Sequence, residues 1–292
     1  MARATRVLTE GIYFGEGPRW HAGRLWFSDF HAHAVCSVSL AGDLRQEFVI
    51  DDQPSGLGWM PDGSLLVVSM TKRQLLRRSV SGRITLHADL GGVAGFHCND
   101  MVVDAAGRAY VGNFGFDLDA ALLERGAEAV VADHSTANLA CVSPAGSVSI
   151  AATGMHFPNG SVITPDGKTL IVGETLGAML TAFDIGADGS LHNRRCWAAT
   201  APYVPDGITL DADGAIWIAN PIGPQCVRIA EGGTILEVID TGQPCYACML
   251  GGDDGRTLFM LTAATSIAHE AAAAPTGRLL VATVDVAHAG RP

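Results

Sequence analysis

The 292 residues are 48% hydrophobic and 17% charged, with 35 glycines and 13 prolines, a composition that excludes disorder and indicates a folded chain rich in tight turns. Nineteen basic against thirty acidic residues give a formal charge of -11, which repels phosphate backbones and excludes nucleic acid as a partner. No run approaches the roughly 20 apolar residues of a membrane span, and the opening MARATRVLTEGIYF lacks the regions of a secretory signal, so the chain reads as cytoplasmic with no membrane role.

In chain order, a first strand over Thr5 to Leu8 is expected to pair with the C-terminal stretch Leu279 to Asp285. A unit then recurs six times: a small or polar turn, a short apolar strand, a turn at Gly, a second apolar strand. The copies start at Glu16, Ser55, Asn99, Asn159, Asp206 and Cys245, with turn glycines at Gly23, Gly63, Gly107, Gly167, Gly214 and Gly255. Those glycines lie 40, 44, 60, 47 and 41 residues apart, the length of four short strands with their turns. The long interval contains residues 117–138, an Ala-, Leu- and Glu-rich insertion in the third unit that suits a helix or a loop.

Second strands such as Leu65–Val68, Thr169–Val172 and Ala215–Ile218 are apolar at successive positions, as strands covered on both faces must be. Sustained helical periodicity is nearly absent outside the insertion, which argues against an α/β fold, and a sixfold repeat favours radial closure over a β-sandwich. The expected fold is all-β: one six-bladed β-propeller domain over residues 1–292, with the insertion in blade three.

In a propeller the innermost strands line a central channel, so equivalent positions of different blades meet on one ring. That ring would hold Glu16, Ser55, Asn99, Asn159, Asp206 and Cys245: two carboxylates, two amides, a hydroxyl and a thiol. Two carboxylates converging in a partly buried funnel repel, and one divalent ion (Ca²⁺, Mg²⁺, Mn²⁺ or Zn²⁺) removes that cost. The alternative is that Pro-Asn-Gly and Pro-Asp-Gly are ordinary turn tripeptides capping strands.

Other candidates carry less. The seven cysteines are odd in number and scattered, and Cys245-Tyr-Ala-Cys248 has no second Cys/His pair to complete a zinc site. Neither Ser55 nor Cys245 has a predictable base beside it for nucleophilic catalysis. The spacings of His31, His33, His134 and His156 form no shared metal site, although His156 stands beside Phe157-Pro-Asn159.

The set Glu16-Gly-Pro-Arg-Trp20, Asn99-Asp100, Phe157-Pro-Asn-Gly160, Thr164-Pro-Asp-Gly167 and Val204-Pro-Asp-Gly207 resembles the SMP-30/gluconolactonase/LRE-like family over nearly the whole chain. The resemblance implies one divalent metal held by Glu16, Asn159 and Asp206, with Asn99 at or near metal and substrate. It also implies lactone hydrolysis, in which the metal polarises the carbonyl, stabilises the oxyanion and activates water, with Asp206 as general base.

The sequence departs from the sugar-lactone pattern two residues before Asn99, where His97 replaces an Arg able to reach sugar hydroxyls. With Phe96, Phe114, Phe116 and Met155 expected at the same rim, this points to a less hydroxylated lactone, with Asn99, His97, Phe114 and Phe116 binding it and His97 as a possible second acid/base group. Competing readings are a metal-dependent isomerase, dehydratase or phosphoester hydrolase on the same site, and a non-catalytic ligand-binding propeller with a structural metal. The expected partner is a small molecule, and the chain is expected to be a monomer or small homo-oligomer.

Overall fold

A computed structural model describes residues 3–292. The strands are Arg6–Ile12 (β1); Gly15–His21, Arg24–Asp29, Ala34–Val38 and Leu44–Val49 (β2 to β5); and Pro54–Trp59, Leu65–Ser69, Gln74–Arg78 and Ile84–Asp89 (β6 to β9). They continue as Cys98–Val103, Ala109–Asn113, Ala137–Val142 and Val148–Met155 (β10 to β13), then Pro158–Ile163, Thr169–Glu174, Met179–Ile185 and Leu191–Ala199 (β14 to β17). The last are Ile208–Leu210, Ile216–Asn220, Gln225–Ile229 and Ile235–Asp240 (β18 to β21), and Cys245–Gly251, Thr257–Thr262 and Gly277–Thr283 (β22 to β24).

These form six antiparallel four-stranded sheets, the blades of a propeller, each starting with an inner strand (β2, β6, β10, β14, β18 or β22). The sixth blade takes its outer strand from the N-terminus: β1 pairs antiparallel with β24, Arg6 opposite Val281 and Val7 opposite Leu280, so the ring is closed by joining the two ends of the chain. The expected pairing is therefore present, with the N-terminal strand extending to Ile12.

The reason the second strands are apolar on both faces is visible in β7. Leu66 and Val68 pack into the cluster shared with blade three, while Leu65 and Val67 pack into the one shared with blade one. The same alternation sends Leu170 and Val172 one way and Ile171 the other, and separates Ile216 and Ile218 from Trp217 and Ala219. Six apolar clusters thus fill the six blade interfaces, and the hydrophobic effect acts mainly between blades. All six turn glycines sit at φ between 72° and 83°, the region a tight hairpin turn requires and a side chain disfavours.

Helices Leu118–Arg125 (α1) and Ala127–Ala132 (α2) lie between β11 and β12, and the Asp117 carboxylate caps α1 through the Ala120 amide at 3.0 Å. A third helix, Ala268–Ala273 (α3), lies between β23 and β24. The sequence reading missed it: the unit spacing there is undisturbed because α3 follows the last turn glycine.

Candidate metal and active site

Neighbouring inner strands touch next to the unit starts. Gly160 lends its amide to the Asp206 carbonyl at 3.1 Å, and Gly207 lends its own to Tyr246 at 2.9 Å. A Cβ at Gly160 would stand 2.5 Å from the Asp206 carbonyl oxygen, and one at Gly207 2.7 Å from the Ala247 Cα. The glycine after Asn159 and after Asp206 therefore lets neighbouring blades touch at the level of the ring. Glu16, Ser55, Asn99, Asn159, Asp206 and Cys245 are all buried there, none more than 8% exposed.

Burial raises the Glu16 and Asp206 carboxyls well above the usual range; repulsion from Asp206 and Asp100 adds to the effect on Glu16, and repulsion from Asp100 to that on Asp206. Asp100 is also raised by burial, opposed by Arg19, whose Nη2 lies 2.7 Å from Asp100 Oδ1. Arg19 reaches across the blades: Nε donates to the Leu57 carbonyl at 2.8 Å, Nη1 to Pro18 at 2.7 Å, and Nη2 also to Met101. Three ionised carboxylates against one guanidinium leave two negative charges, the complement of one divalent cation.

The donor set fits such an ion by a second criterion. Asn159 Nδ2 donates to Thr175 Oγ1 at 3.1 Å, and that hydroxyl donates to the Pro205 carbonyl at 2.8 Å. The amide orientation is thereby fixed, and Asn159 Oδ1 is left buried with no partner. Among the described residues, two oxygens stand in the set of buried side-chain atoms without a partner, Asn159 Oδ1 and Ser55 Oγ, and both belong to the ring. Unsatisfied buried oxygens are costly, and a hard cation would satisfy both. Among the described residues no three His, Cys, Asp or Glu side chains gather as a metal-ligating group. The groups that would hold an ion are instead two carboxylates and the unpartnered Asn159 amide oxygen.

A second sixfold device escaped the sequence reading. The last residue of every second strand is a buried polar side chain, and each ties down the loop entering its own inner strand. Asp29 accepts from the Tyr13 and Phe14 amides at 3.1 and 3.0 Å, Asn113 from Gly95 at 3.3 Å, Glu174 from His156 at 2.6 Å and Asn220 from Val204 at 3.1 Å. Ser69 donates to Asp52 at 2.6 Å and Thr262 to Gln243 at 3.1 Å. Each anchored loop leads into an inner strand with a ring residue at or within two residues of its start. The available signal was a polar residue closing each apolar strand, as in Gly-Glu174 and Ala-Asn220. Asn220→Ala is expected to weaken divalent-ion affinity about tenfold, as loss of a group that orients a ligand does. Isothermal titration with Ca²⁺ checks this; an unchanged affinity removes Asn220 from that role.

Above the ring the walls are apolar. Phe14, Phe30, Met70, Tyr246, Ala263 and Ala271 of α3 form a buried cluster against which Phe114 packs. Phe14 lies 4.6 Å from Tyr246 and 5.3 Å from Phe30, ring centre to ring centre. His97 stacks on Phe96 at 4.0 Å and meets Phe114 edge-on at 6.0 Å, and burial lowers its pKa, so it is neutral at pH 7. The charges acting on His97 include Asp117, which caps α1, Asp52, and Asp119 in the first turn of α1. Phe116 stands 6.1 Å from His134. Met155, expected at this rim, is instead fully buried with Tyr110, Leu139 and Phe183 between blades three and four, because it ends an outer strand whose last residue faces the next blade.

Cys245 and Cys248 are buried in the cluster between blades five and six, where Cys226 joins them, and burial raises the Cys226 and Cys245 thiols. Thiols held protonated in this way are inert packing groups. His31 and His33 are loop residues, His33 Nδ1 lying 2.9 Å from the Asp52 carbonyl and His31 Nδ1 3.3 Å from Gln53.

The chain is 28% identical over 269 residues to pentonolactonase XacC of Haloferax volcanii, spanning 89% of this chain and 84% of that protein. It is 26% identical over 267 residues to regucalcin of Sus scrofa, spanning 88% of this chain and 85% of the relative. The crystal structure of a calcium-binding protein, regucalcin, from Agrobacterium tumefaciens superposes with a TM-score of 0.81 at 22% identity, over all of this chain and 97% of the other. The SMP-30/gluconolactonase/LRE-like profile matches residues 14–264, and the chain belongs to that family.

Proposed function

We propose that this protein is a divalent-metal-dependent lactonase, a carboxylic ester hydrolase that opens a cyclic ester with water. The observation that carries the reading is the ring itself: Glu16 and Asp206 both buried, Glu16 facing the Asp206 charge and both facing Asp100, beside an Asn159 oxygen with no partner. Glu16, Asn159 and Asp206, with Asn99, would hold the ion, which when bound supplies Lewis acidity toward the lactone carbonyl. An all-oxygen donor set favours Ca²⁺, Mg²⁺ or Mn²⁺ over Zn²⁺. The relatives named a pentonolactonase and a calcium-binding regucalcin agree with both parts of the reading.

The chain's own groups have separable tasks. Asp206, the ring carboxylate beside the carbonyl, takes a proton from the water adding to the carbonyl carbon and returns it to the ring oxygen as the acyl C–O bond breaks. The product is one hydroxy acid. Neutral His97, fixed by Phe96 and Phe114, offers one hydrogen bond to the substrate, or a second acid/base group beside it, while Asn99 and Phe116 line the same mouth. Phe14, Phe30, Met70, Phe114 and Tyr246 exclude water and leave little to bind a dense set of hydroxyls, so a less hydroxylated lactone is the better substrate.

The test is a panel of alkyl-substituted and sugar lactones, assayed before and after chelation with product analysis by mass. Activity should vanish on chelation, return with Ca²⁺ or Mn²⁺, and favour the alkyl lactones in kcat/KM. Undiminished hydrolysis after exhaustive chelation, or a product isomeric with the substrate, sinks the proposal.

A further inference from the structure

Between the blade-three insertion and blade four lies a cavity of about 300 Å³, at the small end for an organic ligand, lined by Val131, Asp133, His134, His156, Leu176 and Met179 among others. We propose that it is the subsite for the ring substituent of the substrate, and that His156 Nε2 accepts a hydrogen bond there from a hydroxyl or amide N–H of that substituent. The choice of ligand rests on the lactonase reading above.

The hydrogen bonds determine which nitrogen is free. His134 Nδ1 lies 3.0 Å from the Val130 carbonyl, which can only accept, so Nδ1 carries the proton. In the neutral ring His134 Nε2 is then an acceptor. Its partner at 2.9 Å is His156 Nδ1, which must donate. The relay leaves His156 Nε2 as the unprotonated nitrogen, and among the described residues it has no partner. One side chain thus presents one imidazole acceptor of defined tautomer in a cavity whose other walls include Val131, Leu176 and Met179 together with Asp133.

The position is also held firmly and close to the ring. The His156 amide is bound by the buried Glu174 at 2.6 Å, and its carbonyl accepts from Leu176 at 3.1 Å. Phe157, the next residue, is held at φ 60°, an uncommon setting for an aromatic side chain, and it packs edge-on against Phe114 at 4.5 Å. Two residues further is Asn159, whose amide is oriented by Thr175, the residue before Leu176. The blade-four wall of the cavity is therefore made by residues only a few positions from Asn159 and from Thr175, which orients its amide. The partner imidazole comes from the chain that leaves α2, so the insertion supplies half of the subsite.

The experiment uses the full chain labelled with ¹⁵N-histidine and two lactams that resist hydrolysis, one with a hydroxyalkyl substituent and one with the matching alkyl group. Before ligand, long-range ¹H–¹⁵N spectra at pH 8 should show His134 protonated at Nδ1 and His156 at Nδ1. The hydroxyalkyl lactam should shift His156 Nε2 and bind about three- to tenfold tighter than the alkyl one. His156→Phe, and separately His134→Leu at a half-buried position of the insertion, should remove that preference and retain the alkyl affinity. Equal affinities in the wild type, or no response of His156 to either lactam, overturns the proposal. Because lactams are not turned over, a shift without lactone hydrolysis keeps the subsite and removes the reaction, and hydrolysis without a shift does the reverse.

Discussion

Replacing Asp206 with Asn is expected to lower kcat/KM for lactones by about 10²- to 10⁴-fold, the range for loss of a general base, and to raise the melting temperature of the metal-free protein at pH 7. The two effects share a cause. Burial first, and then the Asp100 charge, raise the Asp206 carboxyl, and Glu16 is raised by burial, Asp206 and Asp100. A carboxyl raised in the folded state holds its proton more tightly folded than unfolded. Its contribution to stability is complete below the unfolded value near about 4 and is lost as pH rises through the folded one.

The metal-free wild type should therefore lose stability from about pH 4 upward, and saturating Ca²⁺ should restore it near neutrality by binding the folded state alone. Asp206→Asn removes one of the two strongly raised carboxyls, so its metal-free melting curve should depend less on pH and respond little to Ca²⁺. Scanning calorimetry from pH 4.5 to 8, with chelator and with Ca²⁺, reads all of this. A variant that melts lower than wild type at pH 7 in chelator would show that Asp206 stabilises the fold and is no strained ligand.

The blade repeat was legible because two independent periodicities coincide: a turn glycine at blade spacing, and second strands whose alternate residues must serve two different interfaces. Glu16, Asn159 and Asp206 were legible for a related reason, since a residue at the same phase of each repeat must land on the same ring. Arg19 and Asp100 were in view as parts of motifs, yet their pairing was not, because nothing in spacing tells that a guanidinium on β2 crosses β6 to reach β10. The aromatic cap was partly missed. Phe14, Phe30 and Met70 sit in loops between strands, where apolar residues carry no periodic signal, and Tyr246 looks like any core residue of β22. Met155 misled because a residue near Asn159 in sequence is assigned to the mouth, while the end of an outer strand faces the blade interface.

Arg19→Met is expected to cost about 3–5 kcal/mol of folding stability, the penalty for stranding one partner of a buried ion pair. Arg19 is only 4% exposed, and without it Asp100 keeps the Met101 amide at 2.8 Å as its remaining hydrogen bond while still facing Glu16 and Asp206. The ring would then carry three uncompensated carboxylates, so the variant should depend on a divalent ion for stability more strongly than wild type does. Pairing it with Asp100→Leu separates charge from packing. The double variant again holds two carboxylates, Glu16 and Asp206, and should recover more than half of the lost stability together with Ca²⁺ binding. The remainder reflects the Leu57 and Met101 carbonyls that Arg19 no longer serves. Urea unfolding with and without Ca²⁺ measures each step. If the double variant is no more stable than Arg19→Met alone, Arg19 acts as a strut between inner strands, and the charge balance of the ring must be set elsewhere.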